Sequence, residues 1–191
     1  MKPAGATLAV DDEIDLVPRH PADADEIFLV VERHRAELRR WLGWVDATRS
    51  RSDMRRYAQF AQAQFEALAA FDYSIAFHGA LVGSIGLHHV DWLARGAHIG
   101  YWLSPEARGF GVVTRAVVRL TEHAFTQLDV HRLEIRAVVE NERSRAVAER
   151  AGYAFEGILR DAELLHGSYR DLALYAKLAA GSEAIPSASA R

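Results

Sequence analysis

Residues 97–103 read as an apolar strand that stops at Ser104-Pro105, and after a short turn the chain runs through Arg108-Gly109-Phe110-Gly111 into a helical repeat of Val113, Ala116, Val117, Leu120 and Ala124. Residues 131–139 then alternate polar and apolar side chains, the period of a second strand. A strand, a helix and a strand in that order pair in parallel through a crossover, which is almost always right-handed. The unit fixes a parallel pair inside whatever sheet the rest of the chain builds. It also puts a glycine-bearing corner at the carboxyl end of the first strand.

The other segments arrange themselves around that unit. Residues 14–17, closed by Pro18, spell a short strand. After Asp23, Ile27, Val30, Val31, Leu38 and Trp41 recur at helical spacing, and Met54, Tyr57, Ala58, Ala61, Phe65 and Leu68 repeat the pattern. Two amphipathic helices therefore come early, joined by the aromatic connector Trp41-Leu42-Gly43-Trp44-Val45-Asp46. Residues 73–77 and 81–90 form an antiparallel hairpin across His78-Gly79-Ala80. Asn141 caps a helix that ends at Gly152, and residues 153–165 and 171–178 supply two last strands. A chain of 191 residues, 50% hydrophobic, is sized for one domain. Its bounds read as 13–178, after a partly ordered segment 1–12 and before a flexible Ala/Ser/Gly-rich tail, 179–191.

Composition removes several function classes. With 23 Lys plus Arg against 26 Asp plus Glu, no global charge recommends nucleic acid or an anionic membrane as partner. The absence of cysteine excludes disulfides, thiolate metal sites and a Cys nucleophile. No metal site is expected, because the His88-His89 pair has no third ligand at an informative spacing; one ring of the pair faces the cleft if the strand alternates regularly. No apolar run approaches a membrane span and no secretion signal is evident, so the expected location is the cytoplasm.

The corner itself carries chemistry. Glycines let backbone N–H groups approach a ligand, and a helix N-terminus adds unpaired donors and partial positive charge, which suits a diphosphate. The Gly-Lys-Ser/Thr ending of a P-loop is missing, and so is the three-glycine dinucleotide fingerprint. Phosphate binding survives this comparison; kinase and dehydrogenase readings do not.

At these residues the sequence resembles the GNAT superfamily of N-acetyltransferases, whose loop follows Gln/Arg-x-x-Gly-x-Gly/Ala; Arg108 and Gly111 match and Val113 departs in a way the RimJ/RimL branch tolerates. A second segment, Asn141 and Ser144 followed by Val147 and Gly152-Tyr153, is similar to that branch, as are Ile99-Gly100-Tyr101-Trp102-Leu103, Glu163-Leu164-Leu165-His166-Gly167 and residues 171–175. The resemblance spans about residues 14–178 and is nearest to RimL-type ribosomal-protein N-terminal acetyltransferases. It implies an α/β (α+β) GNAT fold: a mixed, mostly antiparallel sheet of six to seven strands, about four flanking helices, and a splayed parallel pair holding coenzyme A.

The same resemblance assigns roles. Acetyl-CoA is the co-substrate, held by Leu103, Arg108, Gly109, Phe110, Gly111, Val112, Val113, Thr114, Asn141 and Ser144. An amine attacks the thioester directly, Glu163 serves as base, and Ser144 protonates the departing thiolate, because Ala148 occupies the place where many relatives carry a tyrosine. A backbone N–H near Leu103 polarises the carbonyl. Trp41, Trp44, His88 and Tyr101 fall on the substrate side. The implied acceptor is a protein N-terminus, that of a ribosomal protein, and a homodimer is compatible with the class. A small-molecule amine, an antibiotic, an aminoacyl nucleotide, or a silent acyl-CoA sensor are the alternatives.

Overall fold

The computed structural model describes residues 6–180. Within them the strands are β1 (Leu8–Ala9), β2 (Ile14–Pro18), β3 (Phe71–Phe77), β4 (Ala80–Asp91), β5 (Gly96–Leu103), β6 (Arg132–Val138), β7 (Ala154–Leu165) and β8 (Ser168–Leu178). The helices are α1 (Ala24–Arg33), α2 (Arg35–Leu38), α3 (Arg51–Glu66), α4 (Val112–Gln127) and α5 (Glu142–Arg150). One sheet holds all eight strands in the order β1-β2-β3-β4-β5-β6-β8-β7, antiparallel everywhere except between β5 and β6.

The strand count exceeds the expected six to seven because Leu8–Ala9, inside the segment read as only partly ordered, adds an edge strand to β2. The last strand starts earlier than residue 171. His166 and Gly167, with φ of 52° and 77°, make a two-residue turn whose twist suits a tight hairpin, so Ser168 already pairs with Leu165. The rest of the N-terminal segment, residues 1–5, and residues 181–191 of the expected tail lie outside the described residues.

Period-two alternation gives the sheet two unlike faces. Leu16, Tyr73, Ile75, Ile85, Leu87, Ile99, Leu133 and Ile135 are buried on one side, against Val112, Val113, Ala116, Val117, Leu120 and Ala124 of α4. Thr121 and Tyr153 share a hydrogen bond of 2.6 Å that ties α4 to the start of β7. On the other side α1 and α3 gather Ala24, Ile27, Val31, Met54 and Ala58 around Trp102 of β5. That second face is polar where β3 and β4 run under the helices: Asp72, Ser74 and Ser84 are all buried there.

The crossover dictated by the sequence has a consequence for β5 and β6. They pair only at Gly96, Ala97 and His98 against Arg132, Leu133 and Glu134, and then part. Beyond that point β5 stays with β4, and β6 stays with β8. Leu133, fully buried beside the parting, anchors β6 to the α4 side. Leu133→Ala is expected to cost about 2–5 kcal/mol in urea unfolding with an unchanged m-value.

Candidate active site

The parting opens a cleft of about 1820 Å³ that passes from the α4 corner, between β5 and β6, to the space under α1 and α3. Its edge is built from backbone. The Ser104 N–H donates to the Val82 carbonyl at 2.7 Å, and because peptide groups alternate along a strand, the Leu103 N–H turns the other way, into the opening. At the corner, Gly109 and Gly111 hold φ of 86° and 71°, a region that L-residues rarely enter. Gly111 is the N-cap of α4 and offers no side-chain cap. The amides from Gly109 to Thr114 find no acceptor among the described residues, as expected of a helix start that faces a ligand site.

Of the expected cofactor residues, Leu103, Arg108, Gly109, Gly111, Val112, Val113, Thr114, Asn141 and Ser144 line this cleft. Phe110 does not: its ring is exposed and leans on Phe77 at a centroid distance of 5.8 Å, so only its backbone takes part in the corner. Arg108 is already engaged. Its guanidinium pairs with Glu37 of α2 and reaches the Leu103 carbonyl at 3.4 Å, so it braces the end of β5 against α2. That hydrogen bond is the main cause holding the Glu37 carboxyl below its ordinary range. Arg143 approaches the same carboxylate at 3.6 Å.

Asn141 caps α5 by accepting from the Ser144 N–H at 3.2 Å, which settles its structural role. Ser144 is met by Tyr101 of β5. The Tyr101 hydroxyl donates to the Ser144 carbonyl at 3.0 Å and lies 3.1 Å from its Oγ. Burial pushes the Tyr101 phenol up to about 12, so it stays protonated through neutral pH. The expectation set Tyr101 with the substrate-side residues; alternation instead aims it at α5, opposite Gly100 and Trp102. Ala148 is fully buried and itself brings no hydroxyl to that turn.

Trp41, Trp44, His88 and Glu163 line the cleft's other arm. Trp44 tilts against Trp102 at 6.4 Å. The arm is roofed where the β7–β8 hairpin meets the connector: the His166 ring contacts the Arg39 carbonyl at 2.6 Å and the Asp46 carboxylate at 3.2 Å. Pairing of β7 with β8 slips between Leu159 and Glu163, and this bulge brings Ala162 and Glu163 to the wall. The Glu163 carboxylate is exposed and makes no hydrogen bond or ion pair with a described residue.

The expectation that only one ring of His88-His89 faces the cleft is corrected. A bulge after His88, with φ of 51° at His89, breaks the alternation, and both residues line the cleft beside His98. Among the described residues no three His, Asp or Glu side chains converge as a metal site. Sequence reading passed over Arg19, Tyr57, Asp72 and Ser84, which line the deep end of the same arm. The signal for Asp72 was the Phe-Asp-Tyr-Ser-Ile alternation of residues 71–75, polar on a face that helices cover.

Comparison with known proteins converges on this arrangement. The family model "Acetyltransferase (GNAT) domain" matches residues 14–154. The chain belongs to the GNAT acetyltransferase family. Bacillus subtilis YdaF, described as a putative ribosomal N-acetyltransferase, is 33% identical over 90% of this chain and 94% of its own. The Escherichia coli ribosomal-protein-serine acetyltransferase is 27% identical over 90% and 96%. RimL, a ribosomal-protein α-N-acetyltransferase solved with coenzyme A, superposes with a TM-score of 0.88 at 25% identity, covering 91% of this chain and 98% of that one. A microcin self-immunity acetyltransferase solved with acetyl-CoA and AMP gives 0.85 at 28% identity, covering 88% and 94%.

This GNAT chain is therefore an acetyl-CoA-dependent N-acetyltransferase, with acetyl-CoA as co-substrate. No helix of the described residues is long and apolar enough to cross a membrane. No atom lies within 4 Å of a Cβ built on Gly111, so Gly111→Ala adds only backbone strain. The variant is expected to lose about 1–2 kcal/mol of stability and to weaken acetyl-CoA binding about tenfold in calorimetry.

Proposed function

We propose that this enzyme acetylates the α-amine of a protein N-terminus, that of a ribosomal protein, in the cytoplasm. The observation that carries the reading is the near end-to-end likeness to ribosomal-protein acetyltransferases. The acceptor arm, lined by Trp41, Trp44, His88 and Glu163 beneath the β7–β8 hairpin, agrees with it, since it has room for the end of a peptide.

In this reading, the diphosphate of acetyl-CoA sits on the free amides from Gly109 to Thr114, and the pantetheine arm passes between β5 and β6 beside Asn141. The Leu103 N–H donates to the thioester oxygen, where negative charge grows during attack. An α-amine with a pKa of about 7.7 to 8.0 is mostly protonated at neutral pH. Glu163 takes its proton, directly or through water, and the neutral nitrogen attacks the carbonyl carbon.

Collapse of the tetrahedral intermediate breaks the carbon–sulfur bond, Ser144 donates its hydroxyl proton to the sulfur, and the second proton lost by the attacking nitrogen restores the Ser144 hydroxyl, leaving the amide and the free thiol. Tyr101 sets the direction of that hydroxyl. It has one proton and two acceptors on Ser144. When it donates to Oγ, the Ser144 proton is free for sulfur; when it donates to the carbonyl, Ser144 can donate back to the phenol instead.

Steady-state turnover of peptides, read as free thiol, tests the roles. Glu163→Gln and Ser144→Ala are each expected to lower kcat about 100-fold while acetyl-CoA affinity holds within about twofold for Glu163→Gln. Near wild-type turnover in both variants contradicts the assignment. Turnover of small amines with none of peptides contradicts the protein acceptor.

A further inference from the structure

A second, smaller cavity of about 360 Å³ adjoins the acceptor arm. Trp41 and Val138 line both, so the two spaces share a wall. The smaller one lies between the end of α2 and the β7–β8 turn. Leu165 adds a third apolar side chain, and Arg39, Arg40 and Arg170 stand around it with Glu140 and His166. Three arginines thus face one carboxylate, although the chain as a whole carries a formal charge of −3.

The arginines are unequally paired. Arg39 is answered from outside the cavity by Asp46, its Nε donating to Oδ1 at 2.6 Å. Arg170 stands 3.8 Å from Glu140, too far for a hydrogen bond. Arg40 is exposed and makes no hydrogen bond or ion pair with a described residue. Its guanidinium lies over the Trp41 ring instead, 5.3 Å from the centroid. A guanidinium stacked in this way spends its face on the ring and keeps its N–H edge free, in the planar fork that matches a carboxylate. Trp41 therefore holds Arg40 ready at the wall the two cavities share.

We propose that this cavity is a docking groove for acidic side chains of the acceptor peptide. As the peptide leaves the acceptor arm over Trp41, an Asp or Glu beyond its first residues pairs with Arg40, and Arg170 adds attraction. An amide side chain at the same place leaves the arginines hydrated at little cost, and a lysine is repelled, so the groove grades acceptors rather than admitting a single one. Pairs this exposed are each worth little and are screened by salt, which makes the preference modest and sensitive to ionic strength. Glu140 on the rim, and the wall shared with the acceptor arm, favour the acceptor's own peptide over a nucleic acid.

The proposal rests on the protein N-terminus reading, and the test separates the two. Peptides that share their first residues, and carry Asp and Glu, Asn and Gln, or Lys after them, are compared in wild type, Arg40→Gln and Arg40→Glu. At low ionic strength wild type is expected to favour the acidic peptide over the amide one by about 5- to 10-fold in kcat/KM, through KM, and to lose most of that preference at about 1 M salt. Arg40→Gln is expected to bring the acidic peptide within about twofold of the amide one. Arg40→Glu is expected to turn the order toward the Lys peptide, a reversal that loss of a merely structural contact does not produce. A wild-type preference below about twofold, or one that both substitutions leave unchanged, overturns the groove. Calorimetry of N-terminally blocked peptides on the coenzyme A complex reads the groove without turnover, equal binding of acidic and amide peptides overturning it. Acidic peptides that bind more tightly yet are never acetylated, while small amines are, overturn the protein acceptor and not the groove. Single-stranded RNA that competes where acidic peptides do not overturns the choice of partner.

Discussion

Three residue pairs of parallel pairing hold β5 to β6, and the site depends on how early that pairing ends. Had it continued, the Leu103 N–H would be spent on a neighbouring strand. Because it stops, β5 and β6 keep an unpaired inner edge, a polar backbone surface that nothing else in the sheet consumes. The crossover helix sustains the gap: α4 must leave the end of β5 through the Gly109–Gly111 corner and return to the start of β6, so its N-terminus is fixed at the mouth of the opening. The proposed oxyanion donor, the proposed phosphate corner and the passage through the sheet therefore come from one topological fact.

Alternation then divides the labour. Residues of β5 that point toward α4 and α5 include Ile99 and Tyr101, and they build the apolar wall and the Tyr101–Ser144 contact of the side proposed for the thioester. His98, Gly100 and Trp102 face the other way, toward the α1 and α3 side of the sheet, the side proposed for the amine. The cofactor side is made largely of backbone and glycine, which many sequences satisfy. The arm proposed for the acceptor is lined by individual side chains, Arg19, Asp72, His88 and the two tryptophans, and function is set by such side chains rather than by the fold.

Legibility followed the same division. The crossover, the glycine corner and the Asn141 cap were readable because each is a local pattern: a period change, a turn residue, a capping oxygen three residues before the amide it receives. The β1 strand was missed since two residues carry no period, and the His88-His89 orientation was misread since a bulge is invisible to a period-two rule. Arg108 illustrates the limit of a motif: its position was clear, but its partner Glu37 lies on α2, far away in sequence. Arg19, Asp72 and Ser84 come from just past β2, from β3 and from β4, and only the folded register puts them on one face of the cleft.

The central claim is that the unpaired amides of the α4 corner and the Leu103 N–H form the acetyl-CoA site. Titration of coenzyme A into 15N-labelled protein, read as amide chemical-shift changes, tests it most directly. The account predicts that the largest saturable shifts fall on Gly109, Gly111, Val112, Val113, Thr114 and Leu103, with β1 and β2 unmoved. Saturable binding whose shifts spare the corner and concentrate elsewhere would contradict it.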